Sequence, residues 1–197
     1  MSAMLGPIHH WLYNKILFQE SITQLILENQ KDNWNKNLND ELVSNCGEIK
    51  NVPLEDVIDV SNIHQSLQNK ITIVEKRLAF VVTKLLENDN IKITDILENL
   101  NLKYTLENTN TPKEIYNELE KIFLNGMPCD RVLALIEDSE DKFIFTEKVN
   151  IHEQYWKMFS GDSKNYYLIK NKIIENLLKD TNFCYQVNDN ENIIRRK

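Results

Sequence analysis

Apolar residues recur every three or four positions over most of the first two thirds of this chain, the period of helices that pack on one side. Gly6 and Pro7 open a helix over 7–29, because proline fits a first helical turn where its missing N–H has no intrahelical partner. His9, Leu12, Tyr13, Ile16 and Glu20 fall near one face of it, and Ile22, Leu25, Ile26 and Leu27 widen the stripe enough to imply burial on more than one side. An Asn-rich polar connection over 30–38, containing Trp34, leads to a short helix over 40–46 that Gly47 stops. A second short helix is expected at Pro53. Ser61 and Asn62 then cap the longest helix, about 63–87, whose seam runs through His64, Leu67, Ile71, Val74, Leu78, Val81 and Leu85. Thr94 caps another short helix. Thr111 and Pro112 start one that closes at Gly126, with Ile115, Leu119, Ile122 and Phe123 inward.

The last third reads differently. Residues 131–137 and 142–149 are apolar-rich runs around Asp138, Ser139, Glu140 and Asp141, the pattern of a β-hairpin, although residues 129–138 also satisfy a helical spacing. Asn150 caps a short helix containing His152, Tyr155 and Trp156; Gly161 breaks it, and a helix follows over 162–179. Residues 183–187 alternate like an edge strand, and the tail from Asn188 reads as frayed. The expected fold class is mainly α within α+β: a helical bundle with a small C-terminal antiparallel sheet.

A repeat organises the helical part. The skeleton Ile-His-x-x-Leu-x-Asn-Lys-Ile begins at Ile8 and again at Ile63, and the same frame pairs Glu20 with Glu75, Asn35 with Asn90, Asp40 with Asp95 and Leu42 with Leu97. An internal duplication covering 8–42 and 63–97 accounts for this. It defines a duplicated unit over 1–108 and a helical part with the hairpin over 109–197, within one compact domain.

Composition narrows the function classes. The chain has 197 residues, 42% apolar, with four Gly and four Pro, which suits long ordered elements. The net charge is −7 and the basic residues are scattered apart from Arg195, Arg196 and Lys197, so nothing gathers cations for phosphate contacts and nucleic acid is not an expected partner. No apolar stretch reaches the ~18 residues of a membrane span. Cys46, Cys129 and Cys184 lie far apart with no C-x-x-C spacing, which suits free thiols in a reducing compartment. A soluble cytoplasmic protein is expected, with a small molecule or a protein as its partner. Gly-rich phosphate loops and the G-x-S-x-G elbow are absent from the sequence.

The candidate chemistry rests on histidines. His9, His64 and His152 each follow an isoleucine in the opening turn of an expected helix, and bundles build metal sites from side chains on several facing helices. The expectation is a site for a transition metal such as Zn or Fe, with haem held by a His9–His64 axial pair as the less favoured form. Residues eleven apart on a helix are about 16 Å apart along its axis, so His9 and Glu20 serve different places. Parallel long helices would bring His9 to His64; antiparallel ones would face each histidine with the other helix's glutamate. Cys129, near Pro128 and Asp130, is the candidate nucleophile, activated if a helix starts there, with His152 as its base. Tyr155, Trp156, Tyr166, Tyr167, Trp11 and Tyr13 are candidates to line an apolar pocket. The expected function is therefore a metal- or haem-binding sensor or small-molecule enzyme; the alternative is a cofactor-free helical regulatory or interaction protein whose histidines are structural.

Overall fold

A computed structural model of the chain describes residues 4–33 and 37–197; Trp34 and Asn35 lie outside them. The helices are α1 Pro7–Asn29, α2 Leu38–Cys46, α3 Ile63–Leu86, α4 Ile93–Glu98, α5 Pro112–Ile122, α6 Glu153–Lys157 and α7 Lys164–Leu178, and the strands are β1 Leu133–Asp138, β2 Lys142–Glu147, β3 Phe183–Asn188 and β4 Glu191–Arg196. The fold is thus α+β, mainly helical with one small antiparallel sheet.

Local chemistry fixes most boundaries. Asn62 Oδ1 accepts from Gln65 N at 3.2 Å and Thr111 Oγ1 from Glu114 N at 3.1 Å, so α3 and α5 both begin at side-chain caps. Gly47 ends α2 with φ 87°, a conformation in which a side chain is strained. Three expectations are corrected. Asp95, not Thr94, organises the start of α4 by accepting from Lys92 N at 2.7 Å. α5 ends at Ile122 and Phe123 leaves it extended, so the helix stops short of Gly126. At Pro53 there is only a single 3-10 turn, Leu54–Asp56.

α1 and α3 pack side by side and run parallel. Leu12, Tyr13 and Ile16 share one cluster with Ile63, Leu67, Ile71 and Val74, while Ile22 and Ile26 join Leu78, Val81 and Leu85 in another. The return path lies alongside: α2 packs antiparallel against α3, and the Tyr13 hydroxyl donates to Lys50 O and Val52 O on the way back to the start of α3. The short helices behind the two long ones dock differently, α2 on α3 and α4 on α7. Parallel packing of the two long helices is clear; a duplicated unit is not established by it.

The sheet has the order β1-β2-β4-β3. β1 and β2 form the expected hairpin, with a bulge between Leu135 and Glu137. The tail is not frayed. After a two-residue turn at Asp189 (φ 51°) and Asn190, β4 inserts between β2 and β3, and Ile194 is fully buried. Phe143, Phe145, Phe183, Tyr185 and Ile194 join the main cluster with residues of α1, α3, α5 and α7.

Candidate functional site

The three histidines occupy three different settings. His9 Nδ1 accepts from Gly6 N at 2.9 Å, so the ring closes its own helix start. His64 is exposed, with Nε2 4.0 Å from Cys129 Sγ. His152 is 1% exposed; its Nδ1 lies 2.9 Å from Glu75 Oε2 and its ring stacks on Tyr166 at 3.5 Å between centroids. Among the described residues, no group of three or more His, Cys, Asp or Glu is placed to hold a metal ion. The expected metal-binding function at His9, His64 and His152 is overturned by that geometry. A ligand set needs side chains converging within about 2.0–2.3 Å of one point, and a shared sequence position in an opening turn does not provide convergence.

His152 belongs to a sealed polar layer. Lys170 donates to Glu147 Oε1 at 2.5 Å and Tyr167 to Glu147 Oε2 at 2.9 Å. Burial raises the Glu147 carboxyl, but the charge and hydrogen bond of Lys170 outweigh it, so its pKa lies below the usual value. Burial pushes the Tyr166 hydroxyl well above its ordinary range, with the charges of Glu75 and Glu147 adding to the effect. Lys15, 2% exposed with its Nζ 4.0 Å from the Trp11 ring centroid, is lowered from 10.5 to about 8 by desolvation, which outweighs the attraction of Glu120. On the other side, Arg77 grips Glu20 through Nε at 2.8 Å and Nη2 at 2.9 Å, and donates Nη1 to Gly47 O at 2.8 Å. A cavity of about 10 Å³, room for about one water molecule, lies where Glu120, Asn125 and Lys170 meet a mostly apolar wall that includes Phe123, Phe145 and Ile174.

Cys129 does not sit on a helix. Pro128–Asp130 is one 3-10 turn, Arg131 comes next at φ 48° and β1 begins at Leu133, so no helix dipole favours the thiolate. The neighbour of Cys129 is His64 rather than His152, with Asp130 Oδ1 at 3.9 Å. Of the expected aromatic pocket, Tyr13, Tyr155, Trp156 and Tyr166 are buried core.

Trp11 has a different role. With Pro7, His10, Asn14 and Phe18 it forms one wall of a surface groove of about 580 Å³, faced by Tyr104, Lys121 and Ile122. The spacing 7, 10, 11, 14, 18 is a single side of α1, and Phe18 meets Tyr104 edge to face at 5.7 Å. Tyr104 and Lys121 could not be anticipated from the helix pattern, since both come from outside α1. Lys15 was legible: it is in phase with Leu12, Gln19, Ile22 and Ile26 on the buried stripe. No protein family, curated protein or solved structure matches this chain in sequence-model, sequence or structure comparison.

Proposed function

We propose that this chain is a cytoplasmic binding protein whose recognition surface is the aromatic groove along α1, and that its partner is an extended peptide segment presenting an apolar ring. The observation that carries this reading is the convergence of Trp11, Phe18 and Tyr104 on one groove. A few residues carry most of the energy of a recognition surface, and Trp and Tyr are enriched among them. From Pro7 to Phe18 the groove follows eleven residues of helix, about 16 Å, which matches about five residues of extended chain. Enclosed small-molecule sites bury most of their ligand. A groove open along its length instead leaves one side of an occupant in water, as a bound chain segment tolerates. His10, beside Glu55 at 3.5 Å, and Lys121, bonded to Glu118 at 2.7 Å, stand at the rim, where charge sets orientation more than affinity. Three free thiols support the reducing cytoplasm, and the net charge of −7 supports a protein rather than a nucleic-acid partner.

The test uses pentapeptides with a central Trp or a central Ala, added to isotope-labelled protein. Shifts of backbone resonances at 7–18, 104 and 121–122 with the Trp peptide alone are expected. Tyr104→Ala should weaken that binding about tenfold or more. Shifts elsewhere, or binding indifferent to Tyr104→Ala, would reject the groove.

A second reading has its own observation, the exposed Cys129 thiol 4.0 Å from His64 Nε2. In it the imidazole takes the thiol proton and leaves a nucleophilic thiolate. Cys129 should alkylate with iodoacetamide faster than Cys46, which is buried and whose thiol burial pushes up to about 11. If His64 acts as the base, His64→Ala slows alkylation of Cys129; an unchanged rate leaves an accessible thiol and nothing more.

A further inference from the structure

We infer that the outer edge of β1 is a self-pairing surface, to which a second copy of this chain adds its own β1 antiparallel. β1 is the terminal strand of the sheet and pairs only with β2, so its outer edge presents a row of backbone donors and acceptors. Of the features that blunt exposed edges, the strand from Leu133 to Asp138 has a bulge and two terminal acidic residues but neither Lys nor Pro. It instead exposes two large apolar side chains in succession, Leu135 at 60% and Ile136 at 49%. The bulge at this point accounts for the pair, because it interrupts the alternation that would turn one of them inward.

The charges around this edge are complementary to themselves. Glu137 is matched by Lys142 at 2.8 Å and Asp138 by Lys113 at 2.6 Å, both within the chain. Among the described residues, Arg131 before the strand and Glu140 after it have no ion-pair partner, and both are exposed. An antiparallel pair with its twofold axis between Leu135 and Ile136 brings the segment before β1 that carries Arg131 in each copy near the hairpin turn that carries Glu140 in the other. The same register sets Leu135 against Ile136, Ala134 against Glu137 and Leu133 against Asp138. Between Arg131 and Glu140 no like charges face each other, the next pair outward being Asp130 with Asp141, and both exposed apolar side chains are covered. The contact is one strand wide, at the small end of specific interfaces, so the dimer is weak and concentration-dependent.

Sedimentation velocity on the full chain across the micromolar range tests this. The 23.3 kDa monomer should give way reversibly to a species of twice that mass as concentration rises. Leu135→Lys should remove the dimer while the circular dichroism stays that of the parent. Arg131→Glu and Glu140→Arg should each raise the dimer Kd roughly tenfold or more, since two attractive pairs become repulsive. Mixing those two variants should restore association as a mixed dimer, because their charges are again complementary in this register. A monomer at every concentration overturns the inference. So does a dimer that ignores the charge variants and Leu135→Lys, which would place the interface elsewhere. Capture of a different strand by this edge, with the chain itself monomeric, also overturns it while leaving the groove reading untouched.

Discussion

Replacing Lys15 by Met should make the protein more stable at pH 7. Lys15 is 2% exposed and its ammonium is lowered from 10.5 to about 8 by desolvation. At about 1.4 kcal/mol for each pH unit, the fold disfavours the charged form by about 3 kcal/mol. Methionine follows the same aliphatic path without a charge, and forfeits the contact with Trp11, a cation–π interaction of about 0.5–2 kcal/mol. The net expectation is a gain of about 2 kcal/mol. Its pH dependence is distinctive. The folded pKa lies below the unfolded one, so between about 8 and 10.5 the unfolded chain holds the proton that the folded chain has released. Stability of the parent therefore rises with pH through that window, and the advantage of the variant fades across it. Cys46, pushed up to about 11, and the raised buried tyrosines act oppositely, keeping protons in the folded state and lowering stability as pH climbs past their unfolded values. Those groups are common to both proteins and cancel in the difference. Urea unfolding followed by circular dichroism at pH 7, 8, 9 and 10 measures it. A variant less stable than the parent at pH 7, or a difference that does not change with pH, would refute the reasoning.

Two further substitutions probe the frame. Arg77→Met removes the guanidinium that donates to both the Glu20 carboxylate and Gly47 O, leaving Glu20 only the Gln24 amide at 2.6 Å, and should destabilise by about 3–5 kcal/mol, read from the urea midpoint; a loss below about 1 kcal/mol would mean that solvent reaches the pair. Gly161→Ala puts a methyl onto Thr83 Oγ1 and within 3.2 Å of Trp156, and should lower stability by about 1–3 kcal/mol; an unchanged Tm would show that α3 and the α6–α7 turn separate easily.

The long elements were readable because their signals are local and redundant. α3 joins a 3.6-residue apolar seam to a side-chain cap at Asn62, and α5 does the same with Thr111. The hairpin was readable from two apolar runs around an acidic turn. β4 was not, because Glu191, Arg195 and Arg196 flank only two isoleucines, and its strand character depends on β2 and β3 hydrogen-bonding it from both sides. The groove was half legible. Its α1 wall is one helical side, whereas Tyr104 arrives from a segment whose path depends on how α4 docks, which no local spacing encodes.

The histidine pattern misled for a reason visible one residue at a time. α1 and α3 share a skeleton and run parallel, so equivalent residues were positioned to face equivalent partners. The frame that pairs Glu20 with Glu75 pairs Arg77 with Ile22. Glu20 therefore finds its cation on α3, but α1 offers Glu75 only an isoleucine at the corresponding place, and a buried carboxylate without a donor is costly. Glu75 takes its partner from outside the pair, His152, which is drawn into the interior and stacked on Tyr166. His152 is buried, whereas His64 meets Cys129 at the surface and His9 is committed to Gly6 N. His9, His64 and His152 thus meet three different partners, Gly6 N, Cys129 and Glu75.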